Sequence, residues 1–192
     1  MKDNKKIIKK FWNFLKQDSL PSLLVFLVLV FTFLLFIFFP LLRFVTGSNY
    51  PLVIVESCSM YHEEYGFDNV FTSSIYSKNN ISIEDSSSWD FPMGLNKGDI
   101  IFIVGAKNIS VGDVIIFNGG ENHPIIHRII DSVEPYQTKG DNYITNYKQL
   151  NSEKSIDENQ VLGKAVFRIP YLGWIKLIFF DWMKADGQRG VC

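Results

Sequence analysis

The sequence predicts a mainly β protein with a single N-terminal transmembrane helix. An extracytoplasmic β domain follows, ending in a helix that lies at the membrane interface or packs under the domain. Three observations lead there: an uncharged apolar run behind a lysine-rich start, short β-branched runs opened by Gly-Asp, and an apolar, tryptophan-bearing stretch near the end. With 192 residues the chain has room for one soluble domain plus an anchor. A net charge of -1 gives no long-range attraction for nucleic acid, whose binding surfaces are strongly basic. Two cysteines, Cys58 and Cys192, are too few for a disulfide framework and form no Cys-x-x-Cys pair, so they leave the redox compartment open.

Residues 1–22 form a basic cytoplasmic start. Lys2, Lys5, Lys6, Lys9, Lys10 and Lys16 are opposed only by Asp3 and Asp18, an asymmetry that holds the N-terminus in the cytoplasm. Residues 23–42, LLVFLVLVFTFLLFIFFPLL, carry no charge. At about 1.5 Å per residue they cover the roughly 30 Å hydrocarbon core. Pro40 stands near the end of the run, where a lost backbone bond costs least. A cleaved signal has an apolar region of about 7 to 15 residues ending at small side chains. This run is longer and ends in Pro40-Leu41-Leu42-Arg43, so it is read as a retained anchor.

Residues 43–184 make the domain. Gly47-Ser48-Asn49 and Pro51 supply turn chemistry, and the strand VIVE then runs into Ser57-Cys58-Ser59-Met60. Residues 61–93 show no sustained period and read as an insertion or long loop with minor strands. GDIIFIVGA, GDVIIFNGG, PIIHRIIDSV, YQTKGDN and QVLGKAVFRIP read as short strands between glycine turns. The stretch Tyr171 to Lys184 is too short to cross a bilayer, but its tryptophans suit the headgroup level. Residues 185–192 are expected to form a flexible tail.

Three residues carry the chemistry in chain order: Ser59 at the mouth of a strand, His127 within a β-branched run, and Asp141 in a Gly-Asp turn. A serine needs a base to become nucleophilic, and imidazole needs a carboxylate to fix its tautomer. Cys58 is a rival nucleophile, but neighbours on an extended chain face opposite ways, so only one of the two addresses a given base. His123 and His127 on a strand stand about 13 Å apart, too far to share a metal ion. Lys139 would be the base of a Ser-Lys alternative, and its turn position predicts exposure. A non-catalytic, membrane-tethered β module binding a peptide or partner subunit would use the same strands without needing Ser59 and His127 together.

ESCSM, the paired GDIIFIV and GDVIIF, HRII, TKGDN and the closing IPYLGW resemble, in that order, the boxes of type I signal peptidases of the archaeal and endoplasmic-reticulum branch. The resemblance covers most of residues 53–175. It implies a membrane-bound serine endopeptidase that removes signal peptides from exported preproteins. Ser59 is the implied nucleophile and His127 the general base, where the bacterial branch carries lysine. Asp141 is the implied orienting acid, and the Ser57 hydroxyl joins the Ser59 N–H as an oxyanion donor. No metal and no organic cofactor is implied. The implied partners are signal peptides of secretory preproteins and the lipid bilayer, with accessory membrane subunits left open. The implied site is a membrane, with a prokaryotic cell membrane favoured over the endoplasmic reticulum. The chain departs from the branch in three places. ITNYKQ lacks the second aspartate, so Asn146 or a later carboxylate such as Glu153 stands beside Asp141 as an alternative. His62 replaces a common proline, and the 61–93 insertion separates the serine box from GDIIF.

Overall fold

A computed structural model of the chain describes residues 2–62, 66–120, 123–184 and 189–192. It divides into two compact units, Met1–Val45 and Thr46–Cys192. In the first, α1 (Lys2–Leu15) carries five of the six N-terminal lysines, and Lys16 follows its end. The Ser19 side chain then caps α2 (Leu20–Phe33) by accepting from the Ser22 N–H at 3.4 Å, with Pro21 in the first turn, where its missing donor is harmless. A π-helical turn, Leu34–Phe38, leads into α3 (Phe39–Thr46). Pro40 follows that wide turn almost at once; the extra width gives its ring room and absorbs the bond it cannot make. The helix is continuous over Leu20–Thr46, 27 residues, long and apolar enough to cross a membrane by length and composition. It overruns the predicted 23–42 at both ends because the Ser19 cap starts it early and no breaker follows Pro40 until Gly47.

The second unit is built on one antiparallel sheet in the order β1-β2-β6-β3-β4-β5, from β1 (Leu52–Ile54), β2 (Ile100–Val104), β3 (Val114–Phe117), β4 (Ile125–Asp131), β5 (Gln137–Lys139) and β6 (Val161–Ile169). β3 is inside the sheet and fully buried, as its unbroken VIIF requires. β2 alternates, sending Ile101 and Ile103 into a core shared with Val55, Met60, Leu95, Val114, Ile116 and Ala165.

The two Gly-Asp openings are the same device twice. Asp99 accepts from the Asn96 N–H at 2.9 Å and Asp113 from the Ser110 N–H at 2.8 Å, each closing a turn three residues back. Gly98 and Gly112 have φ of +92° and +94°. A Cβ on either would stand 2.2 Å from a tryptophan ring, Trp174 and Trp89 respectively.

Three expectations are corrected. The chain is not mainly β: the helices before residue 47 hold more residues than all six strands together, so helix outweighs strand although the sheet organises the second unit. The 61–93 insertion, of which residues 63–65 lie outside the described residues, forms no named strand among those described. It folds as α4 (Gly66–Val70), α5 (Ser74–Lys78) and a 3-10 turn, Glu84–Ser88. These pieces are too short to show a period, and an aromatic cluster gathers them instead: Phe71 stacks on Tyr76 at 4.5 Å, and Phe67 meets Trp89 edge-on at 5.4 Å. Residues 189–192 of the expected flexible tail are tied down through Cys192, and residues 185–188 lie outside the described residues. Before them, α6 (Trp174–Phe180) and a 3-10 turn, Asp181–Met183, bury Leu177 and expose Ile175, Ile178, Phe179 and Trp182.

Candidate active site

Ser59 stands where the first strand leaves the sheet. Val55 makes the last sheet-side bonds, its N–H to the Asp99 carbonyl at 2.9 Å and its carbonyl to the Gly98 N–H at 2.8 Å. The chain then turns, with the Tyr61 N–H reaching the Cys58 carbonyl at 3.0 Å. The Ser57 and Ser59 hydroxyls lie 3.2 Å apart. Asn142 grips this turn from the other side, its main-chain N–H donating to the Ser59 carbonyl at 2.9 Å and its Nδ2 to the Cys58 carbonyl at 2.9 Å. The Gly-Asp-Asn turn therefore docks directly on the serine box.

His127 comes from β4, buried and opposite Ile115 of β3. Arg128 pairs with Lys139 of β5, and directly paired residues on antiparallel strands share a face. Continued by one step, that register sets Gly140 opposite His127. A Cβ on Gly140 would stand 2.8 Å from the Ser59 carbonyl oxygen, 2.9 Å from His127 Nε2 and 2.9 Å from Asn146 Cγ. The serine main chain and the imidazole thus border one small space, open because residue 140 has no side chain.

The carboxylate on the other ring nitrogen belongs to Glu153, whose Oε1 meets His127 Nδ1. Both side chains are buried. Glu153 is held in turn: Thr138 Oγ1 donates to Oε1 at 3.4 Å and the Leu150 N–H to Oε2 at 2.6 Å, at the start of the 3-10 turn Asn151–Glu153.

Asp141, expected beside His127, is placed elsewhere. Arg128 donates to it from Nε at 3.1 Å (Oδ1) and from Nη2 at 2.6 Å (Oδ2). His62 Nε2 lies 3.4 Å from Oδ2, a close polar contact that misses hydrogen-bond alignment. Burial pushes the Asp141 carboxyl up, but the Arg128 charge and the Arg128 and His62 contacts outweigh it and hold the pKa at about 2. The physical reason is strand parity. Residues 139 and 141 share the face of Arg128, and His127 points to the opposite one. Arg128 also donates to the Asp90 and Gly112 carbonyls at 2.8 and 2.7 Å and lies 5.2 Å from the ring centres of Phe67 and Trp89, which ties the insertion to this network.

No family model matches the chain. The signal peptidase complex catalytic subunit SEC11C of Homo sapiens, Mus musculus and Canis lupus familiaris matches it, each with 29% identity over 100 residues, 46% of this chain and 52% of the relative. The chain resembles type I signal peptidases of the endoplasmic-reticulum branch. It spans about half the length of the curated relatives it matches. These relatives are mammalian and lend the expected prokaryotic membrane no support.

Within the signal-peptidase resemblance, the rival chemistries find little. Cys58 is bonded to Cys192, so it offers no thiol. Lys139 is buried, not exposed as its turn position suggested, because it lies on the interior face with Arg128. Its ammonium donates to the Gly140 carbonyl at 2.8 Å and sits 5.5 Å from the Tyr76 ring centre. Burial lowers its pKa, against the raising influence of Asp141 and Glu153. His123 is exposed. Asn146 borders the space beside Gly140 and bonds through its N–H to the Asn142 carbonyl at 2.9 Å. Two residues gain weight over the sequence reading. Asn142 had a visible signal, an amide following Gly-Asp, whereas Glu153 stood in a polar stretch and was legible only as a later carboxylate that could replace Asp141.

Proposed function

We propose that this protein is a membrane-tethered serine peptidase of the signal-peptidase kind, cleaving signal peptides from exported preproteins with a Ser59–His127–Glu153 triad. The observation that carries the reading is the buried Glu153 carboxylate on His127 Nδ1, with His127 Nε2 facing the same small space as the Ser59 main chain. In this reading Glu153 takes the orienting role that the sequence assigned to Asp141, and Asp141 serves as counter-ion to Arg128.

The chemistry follows from those positions. Ser59 Oγ attacks the scissile carbonyl while His127 Nε2 takes its proton. Glu153 holds the proton on Nδ1, keeps Nε2 as the acceptor and stabilises the imidazolium. The tetrahedral oxyanion accepts from the Ser59 N–H and the Ser57 hydroxyl, a contribution of about 2.7–4 kcal/mol per donor. Collapse expels the amine, which takes the proton from His127, and leaves an acyl-Ser59 ester that water hydrolyses by the same relay.

The helix Leu20–Thr46 is the proposed anchor, with the lysine-rich start in the cytoplasm and the second unit on the far side. The Cys58–Cys192 disulfide supports that sidedness, since such bonds persist in oxidising compartments. The relatives' name, which places them in a complex, supports accessory membrane subunits as partners. The test is cleavage of a preprotein by the full chain in phospholipid nanodiscs. Ser59→Ala and His127→Ala should each lower kcat by about 10³-fold or more, and Glu153→Gln by about 10²- to 10⁴-fold. Unchanged cleavage by the Ser59 variant would overturn Ser59 as the nucleophile, and absence of cleavage by the wild type would leave instead a non-catalytic module that binds a peptide or subunit.

A further inference from the structure

The loop that carries Ser59 is held from a direction the triad does not use. On one side stands Asn142. On the other stands the C-terminal segment, which reaches the loop at three points. Lys184 Nζ donates to the Glu56 carbonyl at 2.7 Å. Lys176 and Lys184 meet the Glu56 carboxylate at 3.2 and 3.5 Å. Cys192 is bonded to Cys58, the residue preceding Ser59, with the two Cα atoms 5.5 Å apart.

The segment is itself rooted in the sheet. The Gly173 N–H donates to the Gly98 carbonyl at 2.7 Å, and Trp174 Nε1 to the Lys97 carbonyl at 3.0 Å. Buried Lys97 reaches Asp181 Oδ1 at 2.6 Å, while Asp181 Oδ2 accepts from the Gly190 N–H at 2.8 Å. The Lys97 N–H lies 3.3 Å from the Cys192 sulfur. Gly98 bonds to Val55, so the chain of contacts closes a ring: from the end of β1, through the Lys97 turn and the tail, and back across the disulfide to the serine loop.

We propose that the C-terminal segment is a covalent positioning clamp for the nucleophile loop, with the Cys58–Cys192 disulfide holding Ser59 in register with His127. The inference rests on the catalytic reading above. Relative magnitudes assign the work to the disulfide. Glu56 and Lys176 are exposed enough for solvent to weaken their ion pair, whereas the bond between the sulfurs is indifferent to salt. A nucleophile displaced by about 1 Å loses about 10²-fold in rate, so a restraint one residue from Ser59 acts on turnover more than on binding. The enzyme is then redox-sensitive. A dithiol reductant breaks the S–S bond, its two electrons and two protons leaving thiols on Cys58 and Cys192 as the reductant closes to its own disulfide.

The experiment compares the oxidised full chain in nanodiscs, the same sample reduced with dithiothreitol, and a Cys58→Ser/Cys192→Ser double variant. Hydrogen exchange is followed at residues 53–61 and across β3 and β4. Reduction and the double substitution should each lower kcat by about 10- to 100-fold with KM changed less than about threefold. Exchange should rise at 53–61 and stay unchanged in β3 and β4, which also shows that the fold persists. Reoxidation should restore the wild type only. Unchanged exchange at 53–61 on reduction, or unchanged kcat with both thiols labelled by maleimide, would overturn the clamp. Absence of cleavage by the oxidised wild type, with the exchange response intact, would instead defeat the catalytic reading and leave the tether itself standing.

Discussion

Adjacent residues on β4 divide the labour: His127 faces Glu153, and Arg128 faces Asp141. The Arg128–Asp141 pair should show itself as acid sensitivity. A carboxyl lowered from its ordinary 3.8 to about 2 contributes about 2 kcal/mol of stability. Because the folded value is the depressed one, that stability is fully present above about pH 4 and is lost as the pH falls through 2. Asp141→Asn should lower stability at neutral pH by about 3–5 kcal/mol, since it strands the Arg128 charge. Urea unfolding against pH should show the gap between wild type and variant narrowing from pH 4 to pH 2. Gly140→Ala tests the shared space directly. A methyl there meets the Ser59 carbonyl, His127 and Asn146, so in the proposed reading precursor cleavage should fall about 100-fold, and the urea midpoint should fall as well because the Ser59 main chain has to shift. Proposing Ser59 and His127 was possible from the sequence because each sits in a recognisable box. The choice between Asp141 and Glu153 was not, because it depends on the β4–β5 register, and a one-residue change in register moves every side chain to the other face.

At the level of elements, the Gly-Asp openings were the clearest signal, and both begin strands near where their pattern indicated. Their glycines do more than turn. Gly112→Ala should cost about 3 kcal/mol, through strain at positive φ and collision with Trp89. Gly120→Ala, at φ +81° with open space around it, should cost only about 1 kcal/mol. Urea unfolding midpoints compare the two. The insertion was illegible for the opposite reason. Its helices α4 and α5 are five residues each, and they owe their place to aromatic contacts distant in sequence. The ring of Trp89 that blocks Gly112 also covers Arg128, so the insertion helps hold the strand bearing His127.

Across the whole molecule, the apolar run was readable at once as one long helix, because its length and apolarity are properties of local composition. The pairing of Cys58 with Cys192 was not, since it joins positions 134 residues apart and depends on the finished fold. That separation bears on the order in which the protein is made. Cys58 leaves the ribosome long before its partner, and the serine loop stays unlatched until nearly the entire second unit has been synthesised. In the reading above, a nascent chain still passing through the export machinery has a slack serine. On the clamp proposed here, it reaches full turnover only once Cys192 has been brought to Cys58.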